Sequence, residues 1–176
     1  MNELVKPEIL YTEQEIEGRV RELGQQITQD YKDGQIAVVG ILPNAMVFMA
    51  DLVRSIELPL ICDFLKVASS PEGRRIDIAF GADTQLGSRD LLLLQGVVDT
   101  GVTMNFIAEH ILEDWKPRSL KVVALVDRVV NRKVDCPVDY TGFRLDKEGF
   151  VVGYGLAHHE YYRGIKYLGL IDKDVS

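Results

Sequence analysis

The sequence predicts an α/β fold whose central, mainly parallel and twisted sheet is flanked by helices. Four apolar segments have the length of buried strands: 36–42, 60–67, a run that begins at Leu91, and 120–126. Stretches with a helical spacing of apolar residues alternate with them. Strands that are apolar on both faces and alternate with helices are typical of a parallel sheet that is covered on both sides.

The first element is an amphipathic helix that begins after Thr12. Thr12 as the N-cap and Glu15 three residues later form a capping box. Apolar residues then recur at spacings of three and four: Ile16, Val20, Leu23, Ile27 and Tyr31. Asp33-Gly34 is expected to end this helix.

Two more helices and three short strands complete the pattern. A helix is expected over about 44–56, and its inward face carries Met46, Met49, Leu52, Val53 and Ile56. The next helix is expected over 102–115. Shorter strands are expected near 140–143, 150–154 and 167–170.

One polar stretch interrupts the alternation. From Ala68 to Arg89, serine, glycine, proline and charged residues dominate, and only 76–80 is apolar enough for a strand. A long polar excursion inside a compact domain is usually an active-site lid or a disordered insert. Because no repeat or linker divides the chain, one domain over 1–176 is expected.

The chain is acidic, with a net charge of −7 and an isoelectric point near 5.0. This charge argues against a general nucleic-acid surface and against an anionic-membrane surface. No apolar run approaches the ~20 residues that span a bilayer, and the first residues lack the pattern of a secretory signal. Cys62 and Cys136 lie far apart in apolar contexts and are expected to be reduced core cysteines of a cytoplasmic protein.

The most informative segment is Val97–Thr103, which leaves a strand, turns and opens a helix. Unpaired N–H groups and the dipole at a helix N-terminus favour an anion. Gly101 allows the backbone to approach a phosphate closely, and Thr100 and Thr103 can donate from their hydroxyl groups. Asp99 would then be a base or a cation ligand beside the phosphate. The alternative is an ordinary strand–turn–helix with an Asp/Thr cap.

Two other segments are expected near this turn. Ligands of parallel α/β sheets bind at the carboxyl ends of the strands. Asp99 follows one such end, Pro43-Asn44 follows another and Asp127-Arg128 follows a third. These segments are far apart in sequence, but the predicted sheet brings all three to one edge.

Val97–Thr103 resembles the phosphoribosyl-diphosphate loop of type I phosphoribosyltransferases. In that family, a hydrophobic strand leads into two acidic residues, two apolar residues and Asp-Thr-Gly-x-Thr. The resemblance covers about 9–171 and is strongest to the hypoxanthine-guanine branch. The shared segments are 39–42, 50–54, 98–101, 134–143 and 150–156. The last two are specific to this purine branch.

The resemblance implies a type I phosphoribosyltransferase fold, with a small hood built from the N- and C-terminal segments and a mobile lid over about 68–89. It also implies purine salvage, in which a purine base and phosphoribosyl diphosphate give IMP or GMP and diphosphate, assisted by Mg²⁺. A homo-oligomer, either a dimer or a tetramer, is a further expectation.

The resemblance implies a role for each matched residue. Asp99 is the catalytic base near purine N7, and the 5′-phosphate is bound by Thr100, Gly101, Val102 and Thr103. The purine is bound by Arg128, by stacking on Phe150 and by the backbone of Val151. The diphosphate is bound by Leu42, Pro43, Asn44 and Arg163, whose planar fork matches phosphate oxygens.

Five positions depart from the family pattern. The acidic pair that holds the ribose hydroxyls and magnesium is Gln95-Gly96, and the aspartate that binds magnesium is Ala157. Pro43 replaces a lysine in the diphosphate loop; proline lowers the cost of a cis bond by about 2 kcal/mol but removes a backbone N–H. Arg128 replaces the lysine that recognises the purine 6-oxygen, and the lid has no clear Ser-Tyr pair.

These departures keep a second function open, a catalytically weak or inactive paralogue that binds a purine nucleotide or a protein partner. Single residues also have simpler interpretations. Phe150 and Val151 fit the interior of any sheet, and Arg163, which follows two tyrosines, fits a surface position with aromatic stacking. His158-His159 suggests a metal site, but neighbours on a strand point to opposite faces, which favours a surface pair at the pocket rim.

Overall fold

The computed structural model describes residues 5–32, 34–69, 76–80 and 86–173. The elements are β1 (Glu8–Tyr11), α1 (Glu13–Asp30), β2 (Ile36–Leu42), α2 (Met46–Ser55), β3 (Leu60–Ser69), β4 (Ile76–Phe80), β5 (Asp90–Val98), α3 (Val102–Asp114), β6 (Ser119–Asp127), β7 (Tyr140–Arg144), β8 (Phe150–Val152) and β9 (Leu168–Ile171). A 3-10 turn, Val129–Asn131, follows β6.

A six-stranded sheet with the order β4-β3-β2-β5-β6-β7 forms the centre of the molecule. The neighbours from β3 to β7 are parallel, and β4 alone pairs antiparallel, on β3. The predicted α/β fold with a mainly parallel sheet is therefore confirmed. β4 also confirms the strand predicted over 76–80, whereas 70–75 and 81–85 of the expected lid lie outside the described residues.

A second, antiparallel sheet has the order β1-β9-β8. Glu8 of β1 lies opposite Leu170 of β9, and Val151 of β8 pairs with the same residue from the other side. The N-terminal and C-terminal strands are thus joined next to β8. The sequence pattern gave no separate sign of β1, because a four-residue edge strand is too short for a clear period.

Four consecutive leucines of β5 divide between two apolar layers. Leu92 and Leu94 pack on the side covered by α1 and α2, whereas Leu91 and Leu93 pack on the side covered by α3. All four are fully buried. Burying each such side chain stabilises the fold by about 1.5–3 kcal/mol, so this strand, which leads directly into the candidate site, is held on both faces.

The capping box of α1 is confirmed, since Thr12 Oγ1 accepts from the Glu15 N–H and the Glu15 carboxylate accepts from the Thr12 N–H. The helix ends at Asp30, earlier than the Asp33-Gly34 stop predicted from sequence. Within the described ranges, no helix is long and apolar enough to cross a membrane.

Two predictions of buried side chains were wrong. Met46 is half exposed because it lies in the first turn of α2 on the outward side, and Phe48 is buried in its place. Cys62 is exposed, as are its neighbours Phe64 and Lys66 at alternate positions of β3. Alternate side chains of a strand point to opposite faces, so β3 near the sheet edge buries only one of its two faces.

Candidate active site

Three loops meet at the carboxyl edge of the parallel sheet, as the sequence predicts. Val98 at the end of β5 pairs with Asp127 at the end of β6, and the Arg128 N–H donates to the Val98 carbonyl at 3.0 Å. On the other side, β5 pairs with β2, which ends at Leu42. The turns after β2, β5 and β6 therefore share one edge, where open α/β sheets bind their ligands.

The turn after β5 leaves a helix N-terminus without a side-chain cap. Gly101 is the N-cap of α3, with φ +81°, and no side chain forms a capping hydrogen bond there. The Asp/Thr cap considered from sequence is therefore wrong, and the Val102 N–H makes only a long contact of 3.4 Å to Thr100 Oγ1. A cavity of about 150 Å³ lies at this turn, lined by Gln95, Val97, Val98, Asp99, Thr100, Gly101, Thr103 and Met104. An uncapped helix N-terminus in a cavity favours an anion.

The segment after β6 clamps this turn. Arg132 Nη1 donates to the Asp99 carbonyl at 2.8 Å, and the Lys133 N–H donates to the Thr100 carbonyl at 2.9 Å. The guanidinium of Arg132 also forms an ion pair with the buried carboxylate of Asp127. A Cβ on Gly101 would lie 2.8 Å from Arg132 Cδ. The turn thus requires glycine, both for its positive φ and for this contact.

A second cavity, of about 190 Å³, adjoins the first. It is lined by Asn44, Val97, Asp99, Arg128, Gly149, Phe150, Val151, Leu156 and Ala157. Val97 and Asp99 line both cavities. The Asp99 carboxylate is half exposed and therefore accessible between the turn after β5 and a pocket with an apolar, aromatic wall.

Phe150 and Val151 take different positions in the second cavity. The Phe150 ring is exposed and stacks on the His158 ring with a centroid distance of 4.2 Å, whereas Val151 is buried in β8. The interpretation of both as ordinary sheet interior is therefore wrong for Phe150. An exposed ring beside strand backbone offers a stacking surface and a hydrogen-bonding edge to a flat aromatic ligand.

The Arg128 side chain is buried, and its guanidinium donates to two backbone carbonyls. Nη1 donates to the Gly149 carbonyl at 2.9 Å and Nη2 donates to the Lys147 carbonyl at 2.7 Å. Its Nε is buried without a hydrogen-bond partner in the described part of the chain, 3.7 Å from Asp99 Oδ1. Such a distance is too long for a hydrogen bond. Arg128 therefore presents one unpaired donor, Nε–H, beside Asp99.

Arg163 lies beside the turn that follows β2. Its Nη1 donates to Asn44 Oδ1 at 2.7 Å and to the Gly155 carbonyl at 2.8 Å, and its Nη2 pairs with Glu160 at 3.2 Å. The bond between Leu42 and Pro43 in this turn is cis. The structure thus brings together the residues to which the resemblance assigns diphosphate, and hydrogen bonds rather than aromatic stacking hold Arg163.

Gln95 and Gly96, which replace the acidic pair of the family, have different surroundings. Gln95 lines the cavity at the turn, and its Oε1 accepts from the Gly96 N–H at 3.3 Å. A Cβ on Gly96 would lie 2.6 Å from the Asn44 carbonyl oxygen and 2.5 Å from Leu156 Cδ2. The space for a side chain at residue 96 is therefore filled by the neighbouring turn and by Leu156.

Protein side chains of the described residues form no dedicated cage for the magnesium ion that the resemblance implies. Magnesium is usually held by one or two carboxylates together with substrate phosphates and water, and the half-exposed carboxylate of Asp99 is the one beside the cavities. Where the structure describes the chain, no cluster of three or more His, Cys, Asp or Glu side chains could hold a metal. Ala157 offers no ligand, and the carboxylates of Asp99 and Glu160 already accept from Asn131 and Arg163, respectively. Magnesium prefers several oxygen ligands in octahedral geometry.

The prediction that His158 and His159 point to opposite faces was wrong. Their ring centroids lie 4.1 Å apart. The segment is a turn rather than a strand, with φ +48° at His159 and +66° at Glu160. Burial, followed by the charge of His159, lowers the pKa of His158 below its ordinary value, so His158 favours the neutral imidazole.

A larger cleft of about 410 Å³ lies between α1 and β7. Arg19 there donates to the carbonyls of Gly142 and Thr141 and to the Glu22 carboxylate, so each of its three nitrogens is paired. No residue of the turn after β5 lines this cleft. The two adjoining cavities at the sheet edge are therefore the better candidate site.

Sequence reasoning missed Asn131 and Arg132, both of which contact Asp99. The signal for Arg132 is weak: an arginine five residues after a buried aspartate, in a turn. Asn131 has no local signal, because its contact to Asp99 spans 32 residues.

Comparisons with known proteins agree with this architecture. The family model described as phosphoribosyl transferase domain matches residues 8–159. The hypoxanthine-guanine phosphoribosyltransferase of Bacillus subtilis (strain 168) is 35% identical over 167 residues, covering 93% of this chain and 92% of the relative. The enzyme of the same name from Dictyostelium discoideum is 39% identical over 175 residues, with coverage of 95% and 96%.

Solved structures show the same likeness. A hypoxanthine phosphoribosyltransferase from Staphylococcus aureus has a TM-score of 0.88 at 35% identity, covering 96% of this chain and 92% of that chain. A hypoxanthine-guanine phosphoribosyltransferase from Bacillus anthracis has a TM-score of 0.88 at 28% identity, with coverage of 95% and 99%.

Proposed function

The chain belongs to the phosphoribosyltransferase family, in its hypoxanthine-guanine branch, and we propose that it transfers a phosphoribosyl group from phosphoribosyl diphosphate to a 6-oxopurine. The products are IMP or GMP and diphosphate. One observation carries this proposal: the anion-binding turn and the aromatic-walled cavity share Asp99 and Val97. A ribose 5-phosphate in the first cavity and a purine in the second would then meet beside one carboxylate.

The turn after β5 holds the 5′-phosphate in this proposal. The N-terminal N–H groups of α3 and the hydroxyl groups of Thr100 and Thr103 donate to the phosphate oxygens. Gly101 supplies the left-handed backbone that this turn needs. Because Arg132 and Lys133 fix the turn through its carbonyl oxygens, its N–H groups remain available to the ligand.

The second cavity holds the purine. The base stacks on Phe150 and meets the backbone of Val151. Arg128 lines the same cavity, and we assign its Nε–H, which has no hydrogen-bond partner among the described residues, as a donor to the base. A single donor at this point matches an acceptor on the base, such as the 6-oxygen. The donor would be left unsatisfied by a 6-amino group, which disfavours adenine.

The transfer then needs one base and one place for the leaving group. The bond between the purine nitrogen and ribose C1 forms as the bond from C1 to diphosphate breaks, and the Asp99 carboxylate accepts the proton that the purine loses at N7. Arg163 and the Leu42–Asn44 turn receive the diphosphate.

Three further expectations, on the hood, the lid region and the assembled protein, complete the proposal. The sheet β1-β9-β8 is the hood that borders the purine cavity through β8. The described strand β4 belongs to the region 68–89 to which the resemblance assigns a lid. The working form is a homo-oligomer in the cytoplasm, with a purine base or nucleotide and phosphoribosyl diphosphate as its small-molecule partners.

The proposal is tested by steady-state assays with phosphoribosyl diphosphate and hypoxanthine, guanine or adenine, with product quantified by chromatography. The parent protein should form IMP and GMP, and Asp99→Asn should abolish turnover. The affinity of Asp99→Asn for GMP, measured by calorimetry, should stay within about threefold of the parent value, well under the factor of ten that corresponds to 1.4 kcal/mol. Tight GMP binding by a parent protein that forms no product would instead support the nucleotide-binding paralogue.

A further inference from the structure

The carboxylate of Asp99 accepts a hydrogen bond from a neutral side chain, the amide of Asn131. Asn131 ends the 3-10 turn that follows β6, and its Nδ2 donates to Asp99 Oδ1 at 2.7 Å. The backbone of Asn131 is itself fixed, since its N–H donates to the Arg128 carbonyl at 3.1 Å. The donor therefore comes from an anchored turn.

The two side-chain contacts of this carboxylate fall on the same oxygen. Asn131 Nδ2 and, at 3.7 Å, Arg128 Nε both approach Oδ1. Oδ2 forms no hydrogen bond within the described ranges, and the Asp99 side chain is 46% exposed. Fixing one oxygen fixes the plane of the carboxylate, so Oδ2 is presented in a constant orientation to a bound ligand.

An amide side chain is suited to holding the Asp99 carboxylate in one orientation. An amide N–H orients the carboxylate without adding a second positive charge to that of Arg128, whose Nε lies 3.7 Å from the same oxygen. If Oδ2 accepts a proton, Oδ1 becomes the carbonyl oxygen of a carboxylic acid and still accepts from Asn131. The hydrogen bond therefore persists before and after proton transfer.

Asn131 also differs from its neighbours in what it touches. Arg132 and Lys133 bind the carbonyl oxygens of Asp99 and Thr100, and so hold the backbone of the anion-binding turn. The side chain of Asn131 instead donates to the Asp99 carboxylate and not to the backbone of the turn. The loss of its amide should therefore affect the chemical step rather than phosphate binding.

We propose that Asn131 is a positioning residue that holds Asp99 Oδ1 and so assigns Oδ2 as the proton acceptor. This inference rests on the proposed transferase function. It predicts that kcat depends on the Asn131 amide while the KM for phosphoribosyl diphosphate does not.

The test compares Asn131→Ala with Asn105→Ala. Asn105 offers a matched control, because its Nδ2 also donates to a carboxylate, that of Glu109 on the surface of α3, at 2.9 Å. Asn131→Asp provides a second variant, which keeps the side-chain shape but replaces the donor with a like charge. For each, kcat and KM are measured together with the melting temperature.

Asn131→Ala should lower kcat by about 10- to 100-fold, as expected when a hydrogen bond to a charged group is lost, with the KM for phosphoribosyl diphosphate within about twofold of the parent value. Asn131→Asp should be at least as slow, and Asn105→Ala should retain the parental kcat. A kcat for Asn131→Ala equal to that of Asn105→Ala would overturn the inference alone. A raised KM with unchanged kcat would overturn it in favour of a structural role. A parent protein without turnover would overturn the proposed function and this inference with it.

Discussion

Gly96 and Asn44 are in such close contact that a Cβ on Gly96 would lie 2.6 Å from the Asn44 carbonyl oxygen. Real Cβ atoms do not approach backbone oxygen atoms so closely, and backbone cannot move aside as a flexible side chain can. The contact joins the end of β5 to the turn after β2. In this packing, a side chain at residue 96 would collide with the turn after β2, whereas the neighbouring substituted residue, Gln95, lines the cavity.

Gly96→Ala should therefore destabilise the protein. Forcing one methyl group against the Asn44 carbonyl should lower the free energy of unfolding by about 1–3 kcal/mol. Gly18→Ala is the control, because nothing lies within 4 Å of a Cβ at this position in α1, and alanine should raise stability there by about 0.5–1 kcal/mol. Denaturant unfolding measures both values. If Gly96→Ala is as stable as the parent protein, the turn after β2 can move away from residue 96 at little cost, which would contradict this prediction.

Ala157→Asp should increase the effect of magnesium on the binding of phosphoribosyl diphosphate. Ala157 lines the candidate purine cavity at the position where the resemblance implies a cation ligand. A carboxylate there should strengthen the binding of phosphoribosyl diphosphate about tenfold when magnesium is present, a gain equivalent to one charge-assisted contact. Calorimetry with and without magnesium measures this. Ala157→Asn has the same shape without the charge and should show no such gain; an equal gain in both variants would refute a carboxylate–cation effect.

Arg128→Lys should loosen the segment that leads into Phe150. A lysine cannot donate simultaneously to the Gly149 and Lys147 carbonyls as the arginine fork does, so the variant should lose about 1–3 kcal/mol of stability. It should also raise the KM for the purine and alter the ratio of kcat/KM for hypoxanthine and adenine. Unchanged base selectivity would count against Arg128 Nε as a contact to the base.

The control for this substitution is Arg19→Lys. Arg19 likewise donates from its guanidinium to two backbone carbonyls, at 2.9 and 2.7 Å, but in the cleft between α1 and β7. It should lose comparable stability and keep the parental KM for the purine.

Thr103→Ala should weaken nucleotide binding without destabilising the fold. Thr103 is exposed in the first turn of α3, so its hydroxyl is available to a phosphate. Loss of one hydrogen bond should reduce the affinity for GMP by about threefold to tenfold. Thr103→Ser, which keeps the hydroxyl, should bind as the parent does, and calorimetry distinguishes the two. Parental affinity in Thr103→Ala would remove this residue from the phosphate site.

Local patterns predicted the parts of the molecule that local physics decides. The capping box at Thr12 involves residues three apart, and the Val97–Thr103 turn lies between a strand and a helix that the sequence also predicts. The four leucines of β5 predict a strand buried on both faces, which in turn predicts the carboxyl-edge position of Asp99.

Long-range packing decides what the sequence did not predict. Asn131 reaches Asp99 across 32 residues, and the contact between Gly96 and Asn44 joins two separate loops. No periodicity encodes either contact. Cys62 is exposed together with Phe64 and Lys66 on one face of β3, and an apolar run alone does not reveal which face of a strand stays uncovered.

The most direct test of Asp99-dependent phosphoribosyl transfer is a single-turnover reaction, with the protein in excess over phosphoribosyl diphosphate and labelled hypoxanthine. IMP and diphosphate should appear in equal amounts with the parent protein, and neither should appear with Asp99→Asn. Unreacted phosphoribosyl diphosphate in the parent protein, with labelled base recovered unchanged, would contradict it.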